Sequence, residues 1–275
     1  MFVNYNFELL EKKKVTIPIE DRGFAYGDGL FETIIMKNDR LQFAVDHLER
    51  LQKGMKVMGF DKDVEALNLE WLLKSCRQLK EKNKFEGDVR FKLMVWRRKG
   101  GLYTPTSQGF HVLLTARDFT PVTYEEGVTV DFCERSFVQY SAISFAKTLS
   151  SMTYVLAGIE KKEKQVDDLV LMNSEGYLCE FISSALFWVK NDQIYTPRLQ
   201  TGCVAGIARK NIIQTLEDLG YKVKKVMARK QDLLTADCIL SANVAGVHIV
   251  KALEGRSYKS VSTWKRIFQK AYYGG

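Results

Sequence analysis

Three glycines, two aspartates and an arginine crowd the thirteen residues Asp21-Arg22-Gly23-Phe24-Ala25-Tyr26-Gly27-Asp28-Gly29-Leu30-Phe31-Glu32-Thr33. Glycine reaches positive φ and lets two backbones approach closely, so this wording specifies a tight turn between strands and not an open linker. An apolar-alternating run (15–19) precedes it, and a strand is expected over 31–36. A further strand is expected over 41–44. Asp46 is expected to cap a helix, with Glu49 completing a capping box. Leu48, Leu51, Met55 and Met58 follow at helical spacing up to Gly59. A second helix is expected over 64–83, and strands over Val89–Arg97 and 110–116 flank a basic Gly100-Gly101 turn. Residues 117–121 lack periodicity and include Pro121, which places a linker there. The reading is a smaller N-terminal α/β domain (1–116) and a larger C-terminal domain (122–275).

The second half predicts strands at 128–133, Asp168–Met172, 177–182, 186–190, 239–241 and 247–250. Helices are expected over 150–162 and 206–219, the latter closed by Gly220, and in the tail from Ser262. Strands cluster in hairpins with helices interspersed irregularly, which favours an α+β fold over a regular parallel βαβ sheet. Two domains on one chain would place a cofactor in the cleft between them.

Composition narrows the function classes. At 46% hydrophobic and 27% charged residues the chain reads as a soluble globular protein. No apolar run approaches the roughly 20 residues of a membrane helix, and the first residues lack a signal-peptide pattern. Five scattered cysteines without a C-x-x-C pair read as reduced thiols in a cytoplasmic protein. Three histidines show no metal-ligand spacing, so no metal site is expected. The net charge of +8 is spread along the sequence, which fits solvated faces or an anionic small substrate as well as nucleic acid. No nucleic-acid module is recognisable.

Two residues stand out chemically. Lys147 ends the apolar run Ile143-Ser144-Phe145-Ala146. A lysine leaving an apolar strand is partly desolvated, which lowers its pKa and readies the amine to form a Schiff base; the alternative is a surface lysine at a strand end. Glu180 interrupts the apolar strand Tyr177-Leu178-Cys179-Glu180-Phe181-Ile182. A buried carboxylate needs a cation or donors to meet it; the alternative is that alternation sends it to solvent.

The opening Asp-Arg-Gly segment, His47-Leu48-Glu49-Arg50-Leu51, Lys147-Thr148-Leu149, Glu180 after Asn173–Gly176, Gly206-Ile207-Ala208 and Ser241-Ala242-Asn243 together resemble the fold-type-IV pyridoxal-phosphate enzymes, in that family's order. The resemblance spans nearly the whole chain. It implies the two-domain, D-amino-acid-aminotransferase-like fold, pyridoxal 5'-phosphate on Lys147, and Glu180 against the pyridinium nitrogen. It further implies phosphate contacts from Arg50, Gly206, Ile207, Ala208, Ser241, Ala242 and Asn243. Ser150-Ser151, Ile182 and Ala185 depart from the family wording. A homodimer is implied as well, with the Gly100-Gly101 turn as the candidate loop reaching the neighbouring site.

Phe31 stands where the D-amino-acid aminotransferases have a tyrosine, and no Arg-x-His follows Lys99, so that subclass is disfavoured. Leu186-Phe187-Trp188, Tyr195-Thr196-Pro197-Arg198-Leu199 and Ala208 look like the 4-amino-4-deoxychorismate lyases of folate synthesis. That likeness implies an anionic dicarboxylate substrate, with Phe31, Arg97 and Arg98 as substrate contacts. An aminotransferase for branched-chain or other L-amino acids is the alternative. A non-catalytic relative binding an anion or partner is the third reading.

Overall fold

The structure, a computed structural model, describes residues 1–61, 63–122, 124, 126–258 and 262–273. The chain separates into two compact units, Met1–Thr120 with Ala146–Ser151, and Pro121–Phe145 with Met152–Gly275. The six residues Ala146–Ser151 thus belong with the first unit although the chain around them builds the second.

The first unit comprises β1 (Phe2–Tyr5), β2 (Glu8–Glu11), α1 (Arg22–Tyr26), β3 (Gly29–Lys37), β4 (Arg40–Leu41), α2 (Ala44–Val57), α3 (Leu69–Asn83), β5 (Val89–Arg97) and β6 (Phe110–Asp118). Its sheet runs β2-β1-β6-β5-β3-β4, antiparallel at every pairing. Period-2 alternation explains the layering. Val89, Phe91, Leu93 and Val95 of β5 and Val112 and Leu114 of β6 are fully buried. Buried Leu48, Leu51 and Met55 of α2, and Leu72, Cys76 and Leu79 of α3, supply the apolar faces of the two helices packed on this sheet.

Three local expectations are corrected here. The 41–44 strand shrinks to β4, because Phe43 adopts left-handed φ of 52° and itself precedes α2. Asp46 therefore lies inside the first turn, where its charge favours the helix N-terminus, and is not the cap. The 64–83 helix is split into a short 3-10 turn and α3, since Asn68 caps α3 by accepting from the Trp71 amide at 2.9 Å. The glycine-rich turn contains the one-turn helix α1, capped by Asp21 and closed by Gly27 at φ 62°.

The second unit comprises β7 (Val128–Phe132), α4 (Met152–Glu163), β8 (Asp168–Met172), β9 (Leu178–Phe181), β10 (Ala185–Lys190), β11 (Gln193–Pro197), α5 (Ile207–Asp218), β12 (Val223–Val226), α6 (Lys230–Leu234), β13 (Cys238–Asn243), β14 (Gly246–Leu253), β15 (Arg256–Ser257) and α7 (Ser262–Tyr273). Its sheet runs β12-β11-β10-β13-β14-β7-β8-β9, with β15 beside β14. Only β11/β12, β14/β7 and β7/β8 pair in parallel among the described strands. The fold is α+β. Both faces of β9 are covered: Leu178 and Phe181 join one core cluster, and Cys179 joins another with Ala157, Leu169 and Leu171. That double covering decides the fate of Glu180.

Candidate active site

In the first unit, the glycine-rich segment is the seat of Lys147. Asp21 accepts from the Gly23 and Phe24 amides at 2.8 and 3.3 Å and from the Trp96 indole at 2.6 Å. Arg22 and Arg97 share one Asp28 oxygen at 2.8 and 2.9 Å. Against this frame the Lys147 segment pairs with β3. The Phe31 amide donates to the Lys147 carbonyl at 2.9 Å, and the Leu149 amide donates to the Gly29 carbonyl at 2.9 Å. Residues 143–146 form a turn and not the expected strand, so this short pairing, and not a continuous strand, fixes the lysine. Lys147 Nζ lies 5.5 Å from the Phe31 ring centroid.

Two glycines make that approach possible. A Cβ on Gly29 would stand 2.3 Å from the Val95 carbonyl oxygen and 2.7 Å from Leu149 Cδ1. Gly27, at positive φ, lies against the Ser150 backbone at 3.0 Å from where its own Cβ would be. Gly29→Ala is therefore expected to destabilise the protein by at least about 1–3 kcal/mol, as overpacking does. A thermal melt no lower than that of the unsubstituted protein would count against this role.

Arg50 is buried with Glu32 and His47. Its Nε and Nη2 donate to the two Glu32 oxygens at 2.8 and 2.5 Å, and His47 Nδ1 lies 2.7 Å from the second oxygen. Burial pushes the Glu32 carboxyl up, but the Arg50 charge and the His47 and Arg50 hydrogen bonds outweigh it and hold the group below the ordinary range. Glu32 escaped the sequence reading, although a carboxylate within the apolar strand β3 carries the same signal that singled out Glu180. Arg97 is fully engaged inside the unit: besides Asp28 it donates to the Ser107 and Met58 carbonyls at 3.1 and 2.5 Å. Arg98 is exposed and donates through Nε to the Phe110 carbonyl at 3.1 Å.

In the second unit, Glu180 is 6% exposed. The Tyr154 hydroxyl donates to its Oε1 at 2.7 Å and the Val204 amide to its Oε2 at 3.1 Å. Burial and the adjacent Glu180 charge both push the Tyr154 phenol up, so it remains a donor. No sequence pattern pointed to Tyr154; it is a contact made between α4 and β9. Two residues after Val204, Gly206 precedes α5, whose N-terminus has no side-chain cap and no acidic residue in its first turn. Such an end presents amides to an anion. Ile207 and Ala208 occupy that first turn and are buried. The Arg209 guanidinium turns away, to Thr196 Oγ1 and the Pro197 carbonyl at 3.1 and 2.7 Å. Ala242 lies opposite Ala185 in the β10/β13 ladder, and Ser241 opposite Leu186. Ala185 Cβ is 3.9 Å from where a Gly206 Cβ would stand, which puts this rung beside the α5 N-terminus. Asn243 donates to the Ser184 hydroxyl at 2.9 Å and accepts from the Ala245 amide at 2.7 Å, shaping the turn into β14.

The donor set fits pyridoxal phosphate: an uncapped helix end for the phosphate, and a buried carboxylate, steadied by two donors, for a protonated ring nitrogen. Among the described residues no cluster of His, Cys, Asp and Glu could hold a metal ion, and no helix is long and apolar enough to cross a membrane.

The family model of the class IV amino-transferases matches residues 29–253. An aminodeoxychorismate lyase of Vibrio harveyi is 28% identical over 249 residues, covering 87% of this chain and 89% of that protein. A D-alanine aminotransferase of Bacillus licheniformis is 26% identical over 269 residues, covering 94% and 91%. Among solved structures, the T.th. branched-chain amino acid aminotransferase complexed with N-(5'-phosphopyridoxyl)-L-glutamate superposes with a TM-score of 0.85 at 19% identity, covering 99% of this chain and 94% of that one.

Proposed function

The chain belongs to the class IV aminotransferase family, a family of pyridoxal-phosphate enzymes, and from that membership we propose that it cleaves 4-amino-4-deoxychorismate to p-aminobenzoate and pyruvate in the cytoplasm, as a step of folate synthesis. The observation that carries the cofactor is the buried Glu180 carboxylate, held by Tyr154 and the Val204 amide. Pyridoxal phosphate supplies, when bound, an electron sink whose strength depends on a protonated ring nitrogen. Glu180 keeps the proton on that nitrogen. The α5 N-terminus, with the turn after β13, takes the phosphate. The Lys147 amine removes the substrate's ring proton; the C–O bond to the enolpyruvyl group then breaks as the ring becomes aromatic, and the departing enolpyruvate takes a proton back from Lys147 on its methylene carbon and leaves as pyruvate.

Phe31, which brings a ring without a hydroxyl beside Lys147, counts against the D-amino-acid aminotransferases, and the Vibrio harveyi relative supports the lyase. The Bacillus licheniformis relative favours amino transfer instead. This reading also expects a second copy of the chain to cover the exposed Met152, Val155, Leu156 and Ile159 of α4, giving a homodimer.

Product analysis separates the readings. With aminodeoxychorismate and no 2-oxo acid, the lyase releases pyruvate and p-aminobenzoate together through many turnovers. Turnover that stops after about one equivalent and resumes when a 2-oxo acid is added would assign the protein to the aminotransferases.

A further inference from the structure

The C-terminal helix α7 is amphipathic. Its buried residues Trp264, Phe268, Ala271 and Tyr272 recur at helical spacing and form one stripe. The helix packs on α5, whose uncapped N-terminus fits a phosphate, and on β14, which leaves the adjoining turn. The Phe268 ring meets the Phe187 ring of β10 edge-on, with centroids 5.2 Å apart, and the Trp264 ring meets Tyr221, just beyond α5, at 5.9 Å. At the end of the stripe the contact changes character. The Tyr272 hydroxyl donates to the Val244 carbonyl at 2.8 Å, from a side chain that is itself buried.

Val244 and Ala245 are the two loop residues of the hairpin joining β13 to β14, with Asn243 opposite Gly246. Two-residue hairpins favour turns with positive φ at the first loop residue, because such turns follow the twist of the strands. Neither Val244 nor Ala245 has positive φ, so this hairpin lacks the turn that would hold it by itself. It is braced from outside. Asn243 accepts from the Ala245 amide at 2.7 Å and reaches the Ser184 hydroxyl at 2.9 Å, and Tyr272 grips the carbonyl of the turn's own peptide. Because that peptide is planar, a bond to its carbonyl also restrains where its amide points.

We propose that Tyr272 is a positioning residue for the phosphate group of the cofactor: through the Val244 carbonyl it fixes the turn after β13 beside the N-terminus of α5. The inference rests on the reading that this turn and this helix end take the phosphate.

Tyr272→Phe keeps the ring in its packing and removes only the hydroxyl. Equilibrium dialysis of the full-length chain, freed of cofactor, against pyridoxal 5'-phosphate and against pyridoxal reads the two affinities separately. Wild type is expected to prefer the phosphorylated form. In Y272F that preference should shrink by about two- to tenfold, the range of one neutral hydrogen bond, while pyridoxal binds as before. A purely structural tyrosine would leave the ratio alone, since a loosened fold weakens both ligands together. Phe268→Leu supplies that comparison: it opens a space in the packing of the same helix, should melt lower than Y272F, and should keep the full preference. An undiminished preference in Y272F, or an equal fall in F268L, overturns the positioning role while leaving the phosphate site in place. A wild-type chain that binds both compounds alike overturns the phosphate site itself, and the inference with it.

Discussion

Lys147→Ala is expected to lower turnover by about 10²–10⁴-fold or more, the range lost when a positioned proton-transfer group is removed. The loss should be larger than for any other single substitution in the first unit, because one amine both carries the cofactor and moves the substrate proton. Its backbone role survives the substitution: the Lys147 carbonyl still accepts from the Phe31 amide, so the fold should melt as before. In the unsubstituted protein, borohydride should abolish the cofactor absorbance band and leave the reduced adduct on the peptide containing Lys147. An adduct mapped to Lys92, the other amine beside the Phe31 ring, would move the chemistry to the neighbouring strand.

Glu180→Gln is expected to cost about 10²–10³ in rate, comparable to removing one preorganised electrostatic partner from an active site. The amide has one acceptor oxygen where the carboxylate uses two, for Tyr154 and for the Val204 amide. Its NH₂ group would therefore face a donor, and it cannot hold a ring nitrogen protonated. Tyr154→Phe removes one hydrogen bond and leaves the charge, so it should lose far less. Comparing the two variants separates the charge from the geometry. Cofactor content should be retained in both, since the phosphate is held elsewhere. A Glu180→Gln variant that turns over like the unsubstituted enzyme would show that the carboxylate has no part in tuning the ring.

What could be read from the chain alone was set by short-range physics. The positive φ of Gly27 and the contact-limited Gly29 are local backbone demands, so the segment 21–33 announced a tight turn. Period-2 alternation gave β5 and β6 nearly to the residue, and an acid in an apolar strand flagged Glu180. Helix starts were less legible. Asp46 and Glu49 satisfied a capping pattern, but Phe43 in the left-handed region began α2 three residues earlier, a choice made by the chain leaving β4.

Partnerships across the fold had no sequence signature, because each depends on which strands and helices become neighbours. Glu32 meets Arg50 from 18 residues away, Tyr154 meets Glu180 from 26, and Lys147 pairs with Phe31 across more than a hundred residues of chain. The same holds for Arg97 and Arg117. By sequence Arg97 opens a basic run, and Arg117 stands between Ala116 and Asp118. The sheet register buries the first on Asp28 and sets the second opposite Arg90. The sequence determined which groups could do chemistry, since charge, apolar context and glycine are written residue by residue. The tertiary structure alone decided which of them are committed to holding the fold and which stay exposed, since that depends on pairing partners far apart along the chain.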